Sequence, residues 1–297
     1  MTTVPIILEA EFNQLARCRH GLMLFNRHDR YIGASLRKYG EWSEDEVRLF
    51  QQLVPPGSVV VEGGANIGPH TVALSKLVGA AGAVHAFEPQ RLVFQTLCAN
   101  LALNGCANVY AYHAAVGARS GTVFVPAAPP DRPENFGGIG LAGVSSGERT
   151  PLCRIDELGL QACRMIKLDV EGMEVEALQG AAETVRRLRP LLYVENDRSD
   201  PTQALVRLLH SWRYDAYWHA PPLFCEDNFA GDPENIFGAT VSVNMICFPT
   251  ELNVSAPGAK KVELRCGVSP KKTAGTWPAV ASCLAENPVT LRNRPLH

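Results

Sequence analysis

Apolar residues in this chain fall into short blocks separated by polar and glycine-bearing turns. The most compact block is Val59-Val60-Val61, a β-branched run that reads as a strand buried on both faces. It ends in Glu62, passes through Gly63-Gly64-Ala65-Asn66-Ile67-Gly68, and enters an apolar-periodic segment over 72–78 that reads as a helix. Strands and helices then alternate. Strands are expected at 83–87, 109–113, 165–169, 191–195, 214–218 and 240–248. Between them, 92–103 carries Val93, Leu97 and Leu101 at helical spacing, 173–188 carries Val175, Leu178, Ala181 or Ala182 and Val185, and 202–210 reads as a further helix. That alternation predicts an α/β fold, a doubly wound Rossmann-like sheet covered by helices on both faces.

The flanks have a different pattern. Over 20–36, Leu22-Met23-Leu24-Phe25, the polar turn Asn26-Arg27-His28-Asp29 and Tyr31-Ile32 have the look of a hairpin. Ser43 followed by Glu46 reads as a capping box opening a helix with Val47, Phe50 and Leu53/Val54 on one face, stopped by Pro55-Pro56-Gly57. Residues 122–125 suggest an added β element. Residues 126–151 form a Pro-, Gly- and Ser-rich stretch around Asn135-Phe136-Gly137-Gly138, long enough for a lid or binding loop. A second polar loop is expected over 228–237. From 249 onward periodicity is lost, with six prolines and seven Lys or Arg against three Asp or Glu. The expected organisation is a hairpin segment at 1–42, a main domain at 43–250 and an irregular basic tail at 251–297, with no internal repeat.

Composition narrows the classes. With 297 residues, 46% hydrophobic and 20% charged, and a net charge of −2, the chain has the make-up of a globular protein. The tail carries +4 and the body −6, which argues against nucleic-acid binding driven by gross charge. No apolar run approaches the ~18 residues of a membrane span. The first thirteen residues lack the basic region and apolar core of a secretory signal. Nine scattered cysteines without a C-x-x-C pair fit a reducing, cytoplasmic setting better than a disulfide framework or zinc knuckle.

In an open parallel sheet ligands bind at the carboxyl ends of the strands, near the point where strand order reverses. The expected strands deliver Glu62, Glu88, His113, Asp169, Glu195 and His219 to that edge. Each taken alone also fits a helix cap or a solvated strand end; together they suggest one shared pocket. Glu88, closing the strand after the glycine turn, is placed to accept both hydroxyls of a ribose, a feature shared by NAD and nucleoside cofactors. The turn favours an anionic group through its N–H groups. Its sequence departs from the dinucleotide fingerprint, with Ala65 where the second glycine should stand, and Glu62 would repel a pyrophosphate. An acid there suits S-adenosyl-L-methionine, which brings an ammonium, a ribose and a sulfonium.

Several segments together resemble the FkbM-type family of class I S-adenosylmethionine-dependent methyltransferases. They are Glu62-x-Gly-Ala-Asn-Ile-Gly, Phe87-Glu88-Pro89, Ile166-Lys167-Leu168-Asp169-Val170-Glu171-Gly172 with Glu174, and Arg189-Pro190. Tyr39-Gly40-Glu41-Trp42-Ser43, Asp227-Asn228-Phe229 and Asn244-Met245 are similar to segments of members found near glycan-assembly genes. The resemblance covers about residues 30–250, and Glu62 stands where the family usually has Asp. It implies a seven-stranded sheet whose last strand is antiparallel. It also implies that Glu62, Gly63, Gly64, Ala65, Asn66 and Gly68 surround the methionine moiety, that Glu88 and Pro89 lie at the ribose, and that Ala114, Ala115 and Val116 border the adenine. Asp169, also counted among the cofactor-binding residues, and Glu171 would lie where methyl group meets acceptor.

Methyl transfer needs the acceptor atom in line with the breaking bond, and a hydroxyl acceptor gains from a positioned base. Candidates are Asp169, Glu171, Glu195 and His219, with Lys167 as a neighbour on the same strand face. The expected reaction is O-methylation of a sugar or glycoconjugate. N-methylation of a peptide side chain is the alternative within the class, and an NAD(P)-dependent oxidoreductase or a silent binding module lies outside it. The expected partner is a small-molecule or glycan acceptor, and a homo-oligomer fits as well. No metal is assigned, although Glu195-Asn196-Asp197 with Asp169 offers oxygen ligands of the kind a divalent cation takes. Trp212, Tyr214, Tyr217 and Trp218 read as core or as sugar-stacking rings. Lys260-Lys261 and Lys271-Lys272 read as a solvated tail or as a docking patch for an anionic partner.

Overall fold

A computed structural model describes residues 4–197, 199–254 and 260–262. In chain order the elements are β1 (Ile6–Ala10), β2 (Asn13–Cys18), β3 (Gly21–Asn26), α1 (Ile32–Tyr39), α2 (Glu44–Leu53), β4 (Val59–Gly63), α3 (Pro69–Val78), β5 (Ala83–Phe87), α4 (Arg91–Leu103), β6 (Val109–Tyr112), β7 (Ala115–Val116) and β8 (Gly121–Val125). They continue with β9 (Glu148–Cys153), β10 (Met165–Leu168), α5 (Glu174–Gln179), α6 (Ala182–Leu188), β11 (Leu191–Glu195), α7 (Ser199–Ser211), β12 (Tyr214–His219) and β13 (Asn244–Pro249).

Seven strands form the central sheet in the order β12-β13-β11-β10-β4-β5-β6. β13 runs antiparallel to β11 and β12, and the other pairings are parallel. This is the doubly wound class I methyltransferase arrangement that the sequence predicts, with its reversal point between β4 and β10. Val60 and Met165 pack with Leu49, Phe50, Leu74 and Tyr193, while Val61, Ile166 and Leu168 pack with Ala177, Leu178 and Leu205 on the opposite face. Side-chain alternation along a strand then puts Glu62 with Val60, and Lys167 with Met165, on the face toward α2 and α3. The two residues are direct register partners across β4 and β10.

The N-terminal hairpin forms one step earlier than expected. β2 pairs with β3 across Arg19-His20, and β1 adds a third strand. Asn26–Asp29 does not turn the chain back; it starts α1, because the Asp29 carboxylate accepts the Tyr31 N–H at 2.9 Å and competes for the first helical amides. This segment shares a core with the main sheet, through Met23, Phe25 and Leu36 against Ile67, Val72 and Leu97.

Three further expectations are corrected. Ser43 precedes α2 as foreseen, but its hydroxyl donates to Glu46 Oε1 at 2.7 Å instead of accepting a backbone amide, and it holds φ at +43°. The helix expected over 173–188 breaks into α5 and α6 at Gly180, where a Cβ would stand 2.0 Å from the Gly117 carbonyl. The long stretch 126–151 is shortened by β9, which lies between β7 and β8 in a small sheet.

Of the basic tail, residues 260–262 run along β12. Lys260 accepts the Trp218 N–H, and Lys261 pairs with Asp215 at 2.7 Å rather than standing free. Lys271-Lys272 lies outside the described residues. No helix among the described residues is long and apolar enough to cross a membrane.

Candidate active site

At the carboxyl edge of β4, β5, β10 and β11 lies a cavity of about 440 Å³, a size suited to a small ligand. The glycine turn after β4 forms its floor. Gly64 adopts φ +77°, and a Cβ there would stand 1.8 Å from the Asp169 carbonyl oxygen, so only glycine lets this turn press against the end of β10.

The turn offers no anion cradle. Gly64 and Ala65 both donate their N–H groups to the Phe87 carbonyl, at 3.0 and 2.9 Å. Asn66 N–H donates to Glu88 Oε2, Ile67 N–H to the Asn66 side chain, and Gly68 N–H to the Ala65 carbonyl. The expectation that these amides favour an anion is therefore corrected, because the protein itself uses them. A pyrophosphate has nothing to bind here, which removes the main argument for a dinucleotide.

Glu88 closes β5 as a buried carboxylate. It accepts Asn66 N–H on one oxygen and Gln90 N–H, at 2.8 Å, on the other. Each oxygen keeps a second lone pair for a ligand hydroxyl. Burial pushes its pKa up to about 7, against those two hydrogen bonds. Pro89, Ala114, Ala115 and Val116 line the same end of the cavity, and Gln90 holds the loop above it by donating to the Phe136 carbonyl at 2.6 Å.

Toward β10 the lining becomes ionic. Lys167, 2% exposed, has its Nζ 3.6 Å from Glu62 Oε1 and 3.7 Å from Asp169 Oδ2. Burial works against its charge, and Asp169 and Glu62 outweigh burial, so its pKa stays above the ordinary value. Glu62, 1% exposed, accepts Thr71 Oγ1 on Oε2, and its Oε1 has no hydrogen-bond partner. Asp169 stands at the mouth with 41% of its side chain exposed, recessed from bulk water by the cavity walls. Desolvation raises its pKa and raises that of Glu195 well above normal, with the Asp169 charge reinforcing the effect on Glu195. Burial thus disfavours the charged form of both Asp169 and Glu195. Asp169, Glu171 and Glu195 each bring a carboxylate oxygen within 4.8 Å of the others. Glu171 sits at φ +55° in the turn after β10, which Glu174 fixes by accepting the Val170 and Gly172 amides.

The structure therefore brings Glu62, Gly64, Ala65, Asn66, Glu88, Pro89, Ala114, Ala115, Val116, Lys167, Asp169, Glu171 and Glu195 around one cavity. Gly63 and Gly68 lie behind its lining. Gly63 packs under Leu168 and Val116, and Gly68, at φ +89°, opens α3. His219 is corrected as a candidate base: it is buried away from the lining, its Nδ1 2.8 Å from the Tyr193 hydroxyl, and burial lowers its pKa to about 4. His113 is likewise outside the lining, stacked on Phe94. Trp212, Tyr214, Tyr217 and Trp218 belong to the core around β12. The sequence reading missed Glu46 and His70, which line the cavity from α2 and α3. In sequence Glu46 reads as half of a capping box with Ser43, which hides it. The pattern Gly68-Pro69-His70-Thr71, which puts a histidine in the first turn of the helix facing Glu62, was the available signal for the other.

A sheet of this order, a ribose-type acid after β5 and a phosphate-indifferent glycine turn define a methyltransferase of the nucleoside-cofactor class. The family described as the methyltransferase FkbM domain matches residues 62–216, and the chain belongs to that family. S-adenosyl-L-methionine is the cofactor that goes with it, and the cavity fits that group: the buried Glu62 carboxylate beside the turn, a His70 Nε2 unpartnered among the described residues and open lone pairs on Glu88 suit an ammonium and a ribose. Among solved structures, the chain is similar to a methyltransferase FkbM from Methylobacillus flagellatus, with 19% identity and a TM-score of 0.44 over 65% of this chain. It spans 44% of that protein's length. It is also similar to a methyltransferase from Streptococcus mutans described in complex with SAH, with 14% identity and a TM-score of 0.42 over 69% of this chain and 96% of that one. Fibrillarin from Aeropyrum pernix is similar at 12% identity and a TM-score of 0.41, over 83% of this chain and 98% of that one. A comparison with curated proteins finds no match.

Proposed function

We propose that this methyltransferase transfers the methyl group of S-adenosyl-L-methionine to a hydroxyl of a sugar or glycoconjugate. The observation that carries the reading is the carboxylate cluster at the mouth of the cavity, where Asp169, Glu171 and Glu195 bring oxygens within 4.8 Å of one another. A hydroxyl is a poor nucleophile until its proton begins to leave, and a carboxylate with a raised pKa is a better base than an ordinary one. The cofactor supplies an electrophilic methyl group next to a sulfonium. Asp169 accepts the acceptor's proton at a carboxylate oxygen, Glu195 stands beside Asp169 and orients it, and Lys167 offsets the negative charge. Glu171 borders the acceptor, and Leu223 with Thr240 to Val243 walls the opposite side and limits water. Glu88 binds the ribose. Seven free cysteines among the described residues are in keeping with a reducing, cytoplasmic setting.

The test is methyl transfer from labelled cofactor to a panel of sugars and glycoconjugates beside a panel of peptides. Turnover on sugar hydroxyls, lost in Asp169→Asn, supports the reading. Turnover on peptide amines that survives Asp169→Asn replaces it with N-methylation.

A further inference from the structure

Two buried acceptors near the first turn of α3 lack a hydrogen-bond partner among the described residues: His70 Nε2, and Glu62 Oε1, which meets only the Lys167 ammonium at an ion-pair distance of 3.6 Å. Their residues are 1% and 5% exposed, and both line the cavity. An orphaned acceptor inside a protein costs stability unless something donates to it. Here His70 Nε2 and a Glu62 oxygen held only by a long ion pair border one space, which points to a ligand group carrying donors.

The surroundings fix what each atom can do. Glu62 is tied to α3 by Thr71, the residue after His70, so both acceptors belong to the same junction of β4 and α3. The His70 ring makes a hydrogen bond to the Ser43 carbonyl and stands edge-on to Phe50. Because Nε2 is the nitrogen without a partner, the proton lies on Nδ1 and Nε2 presents its lone pair. Burial first, and then the Lys167 charge, hold the imidazole neutral well below its ordinary pKa. Ser43 keeps the left-handed conformation that gives its carbonyl to His70 and to the Glu46 N–H at 2.9 Å. Lys167 is the only Lys or Arg lining the cavity among the described residues, and the lining also holds Glu46, Glu88, Asp169 and Glu195.

We propose that His70 Nε2 and Glu62 Oε1 jointly accept hydrogen bonds from the α-ammonium of the cofactor's amino-acid end, which makes His70 a cofactor-binding residue. The proposal rests on the cofactor reading above and extends it to a residue on α3. A pyrophosphate or any other acceptor-only group has nothing to donate at this point. An ammonium has three donors, satisfies His70 Nε2, shares Glu62 Oε1 with Lys167, and retains one donor for a backbone carbonyl.

The experiment is calorimetry with S-adenosylhomocysteine and with its deaminated analogue, on the wild type, His70→Phe and His70→Gln. Phenylalanine keeps the ring against Phe50 and removes the acceptor, and glutamine returns a side-chain oxygen near the Nε2 position. A hydrogen bond to a charged donor corresponds to about ten- to a hundredfold in affinity. The expected result is a loss of that size for S-adenosylhomocysteine in His70→Phe, no change for the deaminated analogue, and recovery to within about threefold in His70→Gln. Nitrogen NMR of the wild type adds a readout that needs no variant: the Nε2 resonance shifts with S-adenosylhomocysteine and stays put with the analogue. Equal weakening of both ligands in His70→Phe, or an Nε2 resonance indifferent to the amino group, overturns the assignment. A wild type that binds the analogue as tightly as S-adenosylhomocysteine overturns it too. A wild type that binds neither ligand overturns the cofactor reading and the assignment with it.

Discussion

At the ends of β4 and β5, five successive amides from Gly64 to Gly68 are taken up by the protein, and Glu88 ties two segments together with both its oxygens. At the ends of β10 and β11, by contrast, Asp169, Glu171 and Glu195 crowd against one another, with Lys167 as their nearby cation. The first half of the cavity is held in place because the backbone amides of its turn are internally satisfied. The second crowds carboxylates into a buried corner, where desolvation raises Asp169 and Glu195 and the Asp169 charge adds to the effect on Glu195. A cofactor site is served by fixed geometry, whereas a site that must take a proton is served by frustrated charge.

The sharpest way to break this contrast is to disturb the seam between the halves. Gly64→Ala forces a Cβ into the Asp169 carbonyl at a positive φ. We expect it to cost about 3 kcal/mol or more of stability and to remove measurable cofactor binding. Gly57 has a similar φ of +82° with nothing within 4 Å of a Cβ, so Gly57→Ala should cost about 1 kcal/mol. Urea denaturation of the two variants compares them directly, and similar costs would mean that the seam is not tight.

The second test addresses the frustrated half alone. Asp169→Asn should lower methyl transfer about 10²–10⁴-fold while S-adenosylhomocysteine affinity stays within about threefold, as measured by turnover and calorimetry. Loss of both together would place Asp169 with the cofactor instead.

The third addresses the satisfied half through pH. Burial lifts the Glu88 pKa in the folded state to about 7, from an ordinary value of 4.5. Between those values the folded state holds a proton that the unfolded state has lost, so stability falls as pH rises through this window. The change is on the order of 3 kcal/mol for a group so buried. Glu88→Gln should flatten that slope. Ribose hydroxyls donate best to the ionised carboxylate, so wild-type affinity for S-adenosylhomocysteine should rise between pH 6 and 8, and Glu88→Gln should weaken it about tenfold or more.

Much of the satisfied half was legible because it is local. Val59-Val60-Val61, the glycine turn and Glu88 lie within thirty residues, and the strand-turn-helix rhythm places them. Its hydrogen bonds were not legible: nothing in the sequence says that Phe87 takes the Gly64 and Ala65 amides, which depends on β5 pairing with β4. The frustrated half is assembled across β10, β11, α2 and α3. Lys167 and Asp169 stood out through their motif, but Glu46 was hidden by a local explanation, its spacing from Ser43, and His70 by an unremarkable helix. The hairpin was misplaced for the same reason. The carboxylate of Asp29 starts a helix, and a polar turn between apolar runs looks alike whichever element follows.

His219 supplies the smallest and most pointed test. By sequence it ends a strand beside the others, and by structure it lies behind Tyr193, whose hydroxyl also faces Glu46. With a pKa of about 4 it is neutral at any working pH. If proximity to the cavity decides function, His219→Gln should leave methyl transfer within about threefold of wild type, because glutamine still hydrogen-bonds Tyr193. The stability cost should be about 1–3 kcal/mol, that of disturbing one buried hydrogen bond. Turnover, thermal unfolding and the acid limb of the pH–rate profile read these effects separately. A fall in turnover beyond tenfold, with the acid limb displaced and stability intact, would mean that the Glu46–Tyr193–His219 chain conducts a proton from the cavity. The frustrated half would then extend one layer deeper than its lining.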